Sequence, residues 1–202
     1  MTAFSGLRCA MCRTGFASEA LYVCDQCLGP LESYYDYAVA RRTMTREAIA
    51  SRPRSLWRYR ELLPIVGEPK TGFDSGFTPL VRAHRLAKAL GVDELYIKDD
   101  SVNHPTLSYK DRVVPVAATR AIELGFDTFG CASTGNLGNS VAAHAARIGL
   151  KCYVFIPQDL EPGAVGVIHQ SQRDTVVLGQ VAGGNILPVA AIVGIAQRLF
   201  VQ

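Results

Sequence analysis

Two C-x2-C pairs near the N-terminus, Cys9-Ala-Met-Cys12 and Cys24-Asp-Gln-Cys27, constrain this chain more than any other feature. Two such steps offer four thiolates to one ion, the arrangement of a structural zinc site with no open coordination position. The segment between them, residues 13–23, is too small to fold on its own. A ribbon with one or two short strands, dependent on metal to fold, is the expectation. Disulfides are the competing reading, but their pairing does not require two matched steps, and a cytosolic chain disfavours them. Residues 1–6 lack a basic region followed by an apolar run, so a cytoplasmic location is expected. Cys131 and Cys152 lie in apolar, strand-like runs and read as inert core residues.

Beyond the cysteines, Gly29–Asp36 closes the module with an aromatic strand or turn, and Met44–Pro53 is a polar linker of helix-forming residues. Pro64, Gly67, Pro69, Gly72 and Gly76 punctuate an irregular crossing. From Thr78 the pattern alternates. Ala83–Leu90 has helical spacing and ends at Gly91, a C-cap. Glu94–Lys98 reads as a strand, and Val113–Leu124 as a helix that tolerates Pro115 near its start. Thr128–Ala132 is a strand, Ser140–Ile148 a helix stopped by Gly149, and Lys151–Ile156 a strand. Strands and helices in alternation imply a parallel α/β sheet, with ligands beyond the carboxyl ends of the strands.

Charge excludes little. The 202 residues carry a net charge of +3, and 49% hydrophobic with 19% charged residues is ordinary for a globular protein. One run, Arg52–Arg60, mixes arginines with Trp57 and Tyr59. It reads as a solvated helix face that docks its aromatics inward, and no nucleic-acid partner is expected. The apolar stretch Ile186–Ala196, about 11 residues, is too short for a bilayer, which takes about 20.

Two stretches carry the chemistry. In Asn103-His-Pro-Thr-Leu-Ser-Tyr-Lys-Asp-Arg112, Lys110 follows a turn-forming segment. A lysine that attacks a carbonyl must be held still and shed its proton, and a short turn leading into a helix provides the hold. In Cys131-Ala-Ser-Thr-Gly-Asn-Leu-Gly-Asn-Ser140, small residues precede a helix, so backbone N–H groups can converge on an anion. A plain turn with Ser133, Thr134 or Asn136 as cap is the alternative.

Together with Gly76-Phe-Thr-Pro-Leu80 and Leu95-Tyr-Ile-Lys-Asp-Asp100, these stretches resemble the fold-type II pyridoxal-phosphate enzymes, most closely their threonine-synthase branch that bears a zinc ribbon. The family usually has glycine and phenylalanine where Leu107 and Tyr109 stand here. The resemblance implies an incomplete fold-type II parallel-sheet α/β scaffold preceded by a small zinc ribbon. It divides the chain into a ribbon (1–37), a linker and crossing (38–77), an enzyme-like α/β region (78–160) and a divergent apolar tail (161–202). It implies that Lys110 carries pyridoxal 5'-phosphate and shuttles protons, that Asn136 bonds the cofactor's phenolic oxygen, and that Ser133 and Thr134 hold the substrate carboxylate. Asp111 and Arg112 would position the lysine loop. Cys9, Cys12, Cys24 and Cys27 would hold zinc. The implied reaction converts O-phospho-L-homoserine and water to L-threonine and phosphate, a step of threonine biosynthesis. The family's later phosphate loop is not recognisable; Gly183-Gly-Asn185 lies too close to Asn136 to be it. The expectation is therefore a C-terminally truncated homologue, through a frameshift near residue 160, that self-associates. Alternatives are a cysteate-synthase-like enzyme acting on phosphoserine and a non-catalytic zinc-ribbon fragment.

Overall fold

A computed structural model describes residues 2–133, 135–156 and 175–179. The chain opens with strand β1 (Phe4–Cys9), antiparallel to both β2 (Gly15–Phe16) and β3 (Leu31–Tyr35), in the order β2-β1-β3. Gly6 breaks the β1–β3 register, at φ +119° and so close to β2 that a Cβ would sit 2.5 Å from the Phe16 carbonyl oxygen. No other residue fits there.

Two short helices follow, each started by the side chain its first turn demands. Asp36 accepts from Ala38 N and Val39 N to cap α1 (Tyr37–Thr43). Thr45 accepts from Ala48 N to cap α2 (Arg46–Ser51). The arginine-aromatic run becomes a 3-10 segment, Leu56–Leu62, and departs from the expected solvated face. Trp57 is buried, with its indole N–H on the Thr71 carbonyl at 2.9 Å, but Tyr59 is exposed. Arg58 is buried against the Ile49 carbonyl, and Arg52 forks onto the buried Glu61 at 2.5 and 2.7 Å. These arginines stitch α2 to the 3-10 segment, because the planar guanidinium satisfies several carbonyl and carboxylate oxygens at once.

Strand β4 (Leu80–Arg82) pairs antiparallel with β5 (Tyr96–Lys98), and α3 (His84–Leu90) connects them, ending at Gly91 with φ 67°. The antiparallel pair departs from a wholly parallel sheet. Alternation of strand and helix fixes the order of elements and leaves strand direction open.

The main core lies further on. Helix α4 (Val114–Glu123), strand β6 (Thr128–Ala132), helix α5 (Asn136–Ile148) and strands β7 (Lys151–Ile156) and β8 (Thr175–Gly179) follow in order. β6, β7 and β8 form a parallel sheet in that order, with Thr128 opposite Lys151 and Cys152 opposite Thr175. Alanines on both helices (Ala118, Ala121, Ala142, Ala145) let the backbones approach closely over Phe129 and Val154. Cys131 and Cys152 are buried in this core, and burial pushes the Cys131 thiol up to about 12. The Cys131 thiol is therefore no nucleophile at neutral pH. Among the described residues, no helix is long and apolar enough to cross a membrane.

One side chain joins the N-terminal sheet to this core. Arg120 of α4 donates to the Ser18 carbonyl at 2.8 Å and to the Ser18 hydroxyl, and lies over the Phe4 ring at 5.5 Å. It also pairs with Glu123, whose carboxylate accepts from Val66 N and Gly67 N at 2.9 and 2.6 Å. Arg120→Ala is expected to cost about 2 kcal/mol, as for hydrogen bonds to a charged group. Amide exchange should then rise across β1–β3 and stay slow in β6 and β7. Unchanged exchange in β1–β3 would show that the junction rests on other contacts.

Candidate active site and metal centre

The four N-terminal sulfurs converge. The Sγ atoms of Cys9, Cys12, Cys24 and Cys27 all lie within 4.8 Å of one another, and all four are free thiols. Cys9 and Cys27 are 3.4 Å apart, Cys12 and Cys24 3.6 Å. A tetrahedron with bonds of about 2.3 Å separates its sulfurs by about 3.8 Å, so the donor set fits zinc.

The backbone builds this cluster twice in the same way. Cys9 N donates to Thr14 O and Cys24 N to Gly29 O; Arg13 N returns to Cys9 O and Leu28 N to Cys24 O, all between 2.8 and 3.1 Å. Met11 N and Cys12 N point at the Cys9 sulfur and Gln26 N at the Cys24 sulfur, each at 3.4 Å. Such donors stabilise thiolates. Arg13 and Leu28, each just after the second cysteine of its pair, take φ of 66° and 58°. A matched left-handed turn is the cost of aiming two sulfurs at one point. The Thr14 hydroxyl and N–H bring the exposed Cys12 thiol down to about 6, ready to ligate at neutral pH.

Gly29 is confined: a Cβ there would meet Met11 Cγ at 2.7 Å and the Cys9 sulfur at 3.0 Å. Met11 is exposed and can swing away; the buried Cys9 cannot. Gly29→Ala is expected to weaken zinc binding by about tenfold, as competition with a chromophoric chelator would measure, because disturbing the groups that orient a metal ligand commonly costs about 10–100-fold.

The lysine turn is held from every side. Ser108 Oγ accepts from Lys110 N at 3.2 Å and starts the 3-10 turn Tyr109–Arg112. The buried Asn103 amide donates to Ser108 O at 2.8 Å, and its oxygen accepts from Gly76 N at 2.7 Å. Arg112 forks onto Asp100 at 2.7 and 2.8 Å and reaches the Thr78 hydroxyl at 2.9 Å. Asp111 is fully buried. It accepts from Thr106 N at 2.8 Å, the Thr106 hydroxyl at 2.9 Å and the Ser140 hydroxyl at 2.6 Å. Lys110 itself stays partly exposed, its Nζ 4.5 Å from the Tyr109 ring centroid.

The Ser140–Asp111 bond sets α5 against this turn. Asn136, one turn before Ser140, is exposed, and its side chain makes no hydrogen bond among the described residues. Ser133 lies at the carboxyl end of β6, its N–H on Phe155 O at 3.0 Å and its hydroxyl accepting from Gly135 N at 3.3 Å. Gly135 occupies the N-cap position of α5 without a side-chain bond, so neither Ser133 nor Asn136 serves there as a simple cap. Thr134 lies outside the described residues, as does Gly183–Asn185. Ser133 and Asn136 thus stand beyond the carboxyl end of a parallel strand, where ligands of such sheets sit, and the Ser140–Asp111 bond ties their helix to the Lys110 turn. Sequence reasoning overlooked His144 and Thr71, both buried behind Asp111. A lone histidine on an alanine-rich helix gives no local signal.

Residues 73–193 match the family of pyridoxal-phosphate dependent enzymes, and the chain belongs to that family. The match runs past residue 160, into the segment expected to diverge. The chain is similar to curated threonine synthases: 44% identical over 153 residues to that of Methanocaldococcus jannaschii, and 39% over 152 residues to that of Methanosarcina acetivorans. Each alignment covers 75% of this chain, which spans only 37% and 36% of those relatives. A solved O-ureido-L-serine synthase is 25% identical over 54% of the chain and 34% of its own, with a TM-score of 0.45.

Proposed function

We propose that this chain provides the cofactor-anchoring portion of a threonine-synthase-like lyase, acting on O-phospho-L-homoserine and water to give L-threonine and phosphate. The observation that carries the reading is the Ser140–Asp111 bond at 2.6 Å, which ties the Lys110 turn to the first turns of α5. The threonine-synthase likeness supplies the substrate.

In this reading Lys110 holds pyridoxal phosphate covalently and later moves a proton to and from the substrate's Cα. When bound, the cofactor supplies an electron sink. Asn136 bonds its phenolic oxygen, and Ser133 with Thr134 grips the substrate carboxylate. Cys9, Cys12, Cys24 and Cys27 hold a structural zinc that fixes a ribbon over residues 1–37, ahead of the linker (38–77), the α/β region (78–160) and the tail (161–202). The protein works as a homo-oligomer in the cytoplasm, without nucleic acid or membrane.

The test mixes purified chain with pyridoxal phosphate, reduces with borohydride and maps the modified peptides. Modification at Lys110 alone, absent in Lys110→Ala, supports the reading. Diffuse modification across many lysines, or none, overturns it. Phosphate release from O-phospho-L-homoserine against O-phospho-L-serine then separates this substrate from its phosphoserine competitor.

A further inference from the structure

His144 is fully buried on α5, one turn after Ser140, and nothing so far explains it. Its Nδ1 is 2.8 Å from the Thr71 hydroxyl. Its Nε2 lies 3.5 Å from Asp111 Oδ1 and makes no hydrogen bond. The Thr71 hydroxyl can accept from an Nδ1–H or donate to a bare Nδ1. If it donates to Nδ1, the proton of the neutral ring is on Nε2, facing Asp111. Thr71 is itself buried and held, since its carbonyl accepts the Trp57 indole N–H at 2.9 Å.

We propose that His144 is a positioning residue for the Lys110 turn, acting through Asp111. Thr71 sets the ring, the ring faces the carboxylate, and the carboxylate fastens Thr106 N, with Lys110 directly before Asp111 in the chain. Ser140 alone fixes only one Asp111 oxygen from α5. His144 faces that same oxygen from the same helix and links the carboxylate to the Thr71 segment, which Ser140 does not reach. The consequence for the cofactor rests on the reading of Lys110 above; the hold on the turn does not.

The test compares the full chain with His144→Gln, His144→Leu and Thr71→Val. Gln keeps an N–H donor at about the reach of Nε2; Leu keeps bulk and removes it. The first readout is amide exchange at Thr106 and Lys110 without cofactor, referenced to β6 and β7. The second is the selectivity of borohydride fixation on Lys110. Leu is expected to speed exchange at Thr106 and Lys110 by about tenfold, through loss of the polar contact to the buried carboxylate, with β6 and β7 little changed. Gln should restore most of that protection and the Lys110 selectivity. Equal behaviour of Gln and Leu, or Leu exchanging like the parent, overturns the proposal and leaves His144 as packing. Should Leu fail to fold, Thr71→Val decides: unchanged exchange at Thr106 and Lys110 overturns the proposal, and faster exchange supports it. If the parent fails to fix cofactor on Lys110, the functional reading falls while the exchange comparison still judges His144.

Discussion

Stripping zinc from the purified chain is expected to unfold residues 2–35 and leave the β6–β7–β8 sheet standing. The N-terminal sheet has little else to fold around. Its fully buried side chains are Cys9 and Cys24, with Ala3 and Phe4 beside them, and Met11, Leu28 and Tyr34 face solvent. Apparent zinc binding to such small modules is worth about 10–16 kcal/mol, far more than those few buried groups supply. Cys24→Ser should lower metal content and raise exchange in β1–β3 as chelation does. Retained protection of the Cys9 and Cys24 amides after complete metal removal, checked by elemental analysis, would refute a metal-dependent ribbon.

The second large effect concerns Asp111. Asp111→Ala is expected to destabilise the chain by about 3–5 kcal/mol, because one substitution strands the Thr106 N–H and two hydroxyls in a dry interior. The urea midpoint at pH 7 measures it; a loss below about 1 kcal/mol would mean that water reaches the site. Burial pushes the Asp111 carboxyl up, but donors from His144, Ser140 and Thr106 outweigh it, and the net shift is downward. Arg112, with help from Thr78, holds Asp100 at about 2. For a depressed carboxylate the sign is fixed: its contribution is full above the unfolded value near 4 and disappears as pH falls through the folded value. The urea midpoint should therefore hold between about pH 5 and 7 and drop below about 4, less steeply in Asp111→Ala than in the parent. Equal slopes would remove Asp111 from the acid response.

Elements set by local pattern were legible in the sequence. β6 and β7 keep the bounds that β-branched and aromatic runs suggest, α4 differs by one residue at each end, and Gly91 takes the left-handed turn its place after a helix implies. The cysteine spacing pointed to a cluster that the backbone does assemble. What stayed hidden depends on partners far along the chain. The antiparallel β4–β5 pairing, the burial of Arg58, the Arg120–Ser18 junction and the His144–Asp111 contact have no periodicity and no motif. Within the site, Lys110 stood out because it follows a turn-forming segment; Thr71 did not, because a threonine in an irregular crossing looks like every other.

The Arg120–Ser18 junction sets a timetable for synthesis. The cysteine cluster closes over a separation of 18 residues, between Cys9 and Cys27, whereas Arg120 reaches back over 102. Loop closure over the longer span costs only about 1.5 kcal/mol more, so entropy is a minor obstacle. Time is the larger one. At about 5–20 residues per second, roughly 5–20 s pass between the emergence of Ser18 and that of Arg120. A ribbon that captures its ion in that interval is a finished part before Arg120 arrives as its latch.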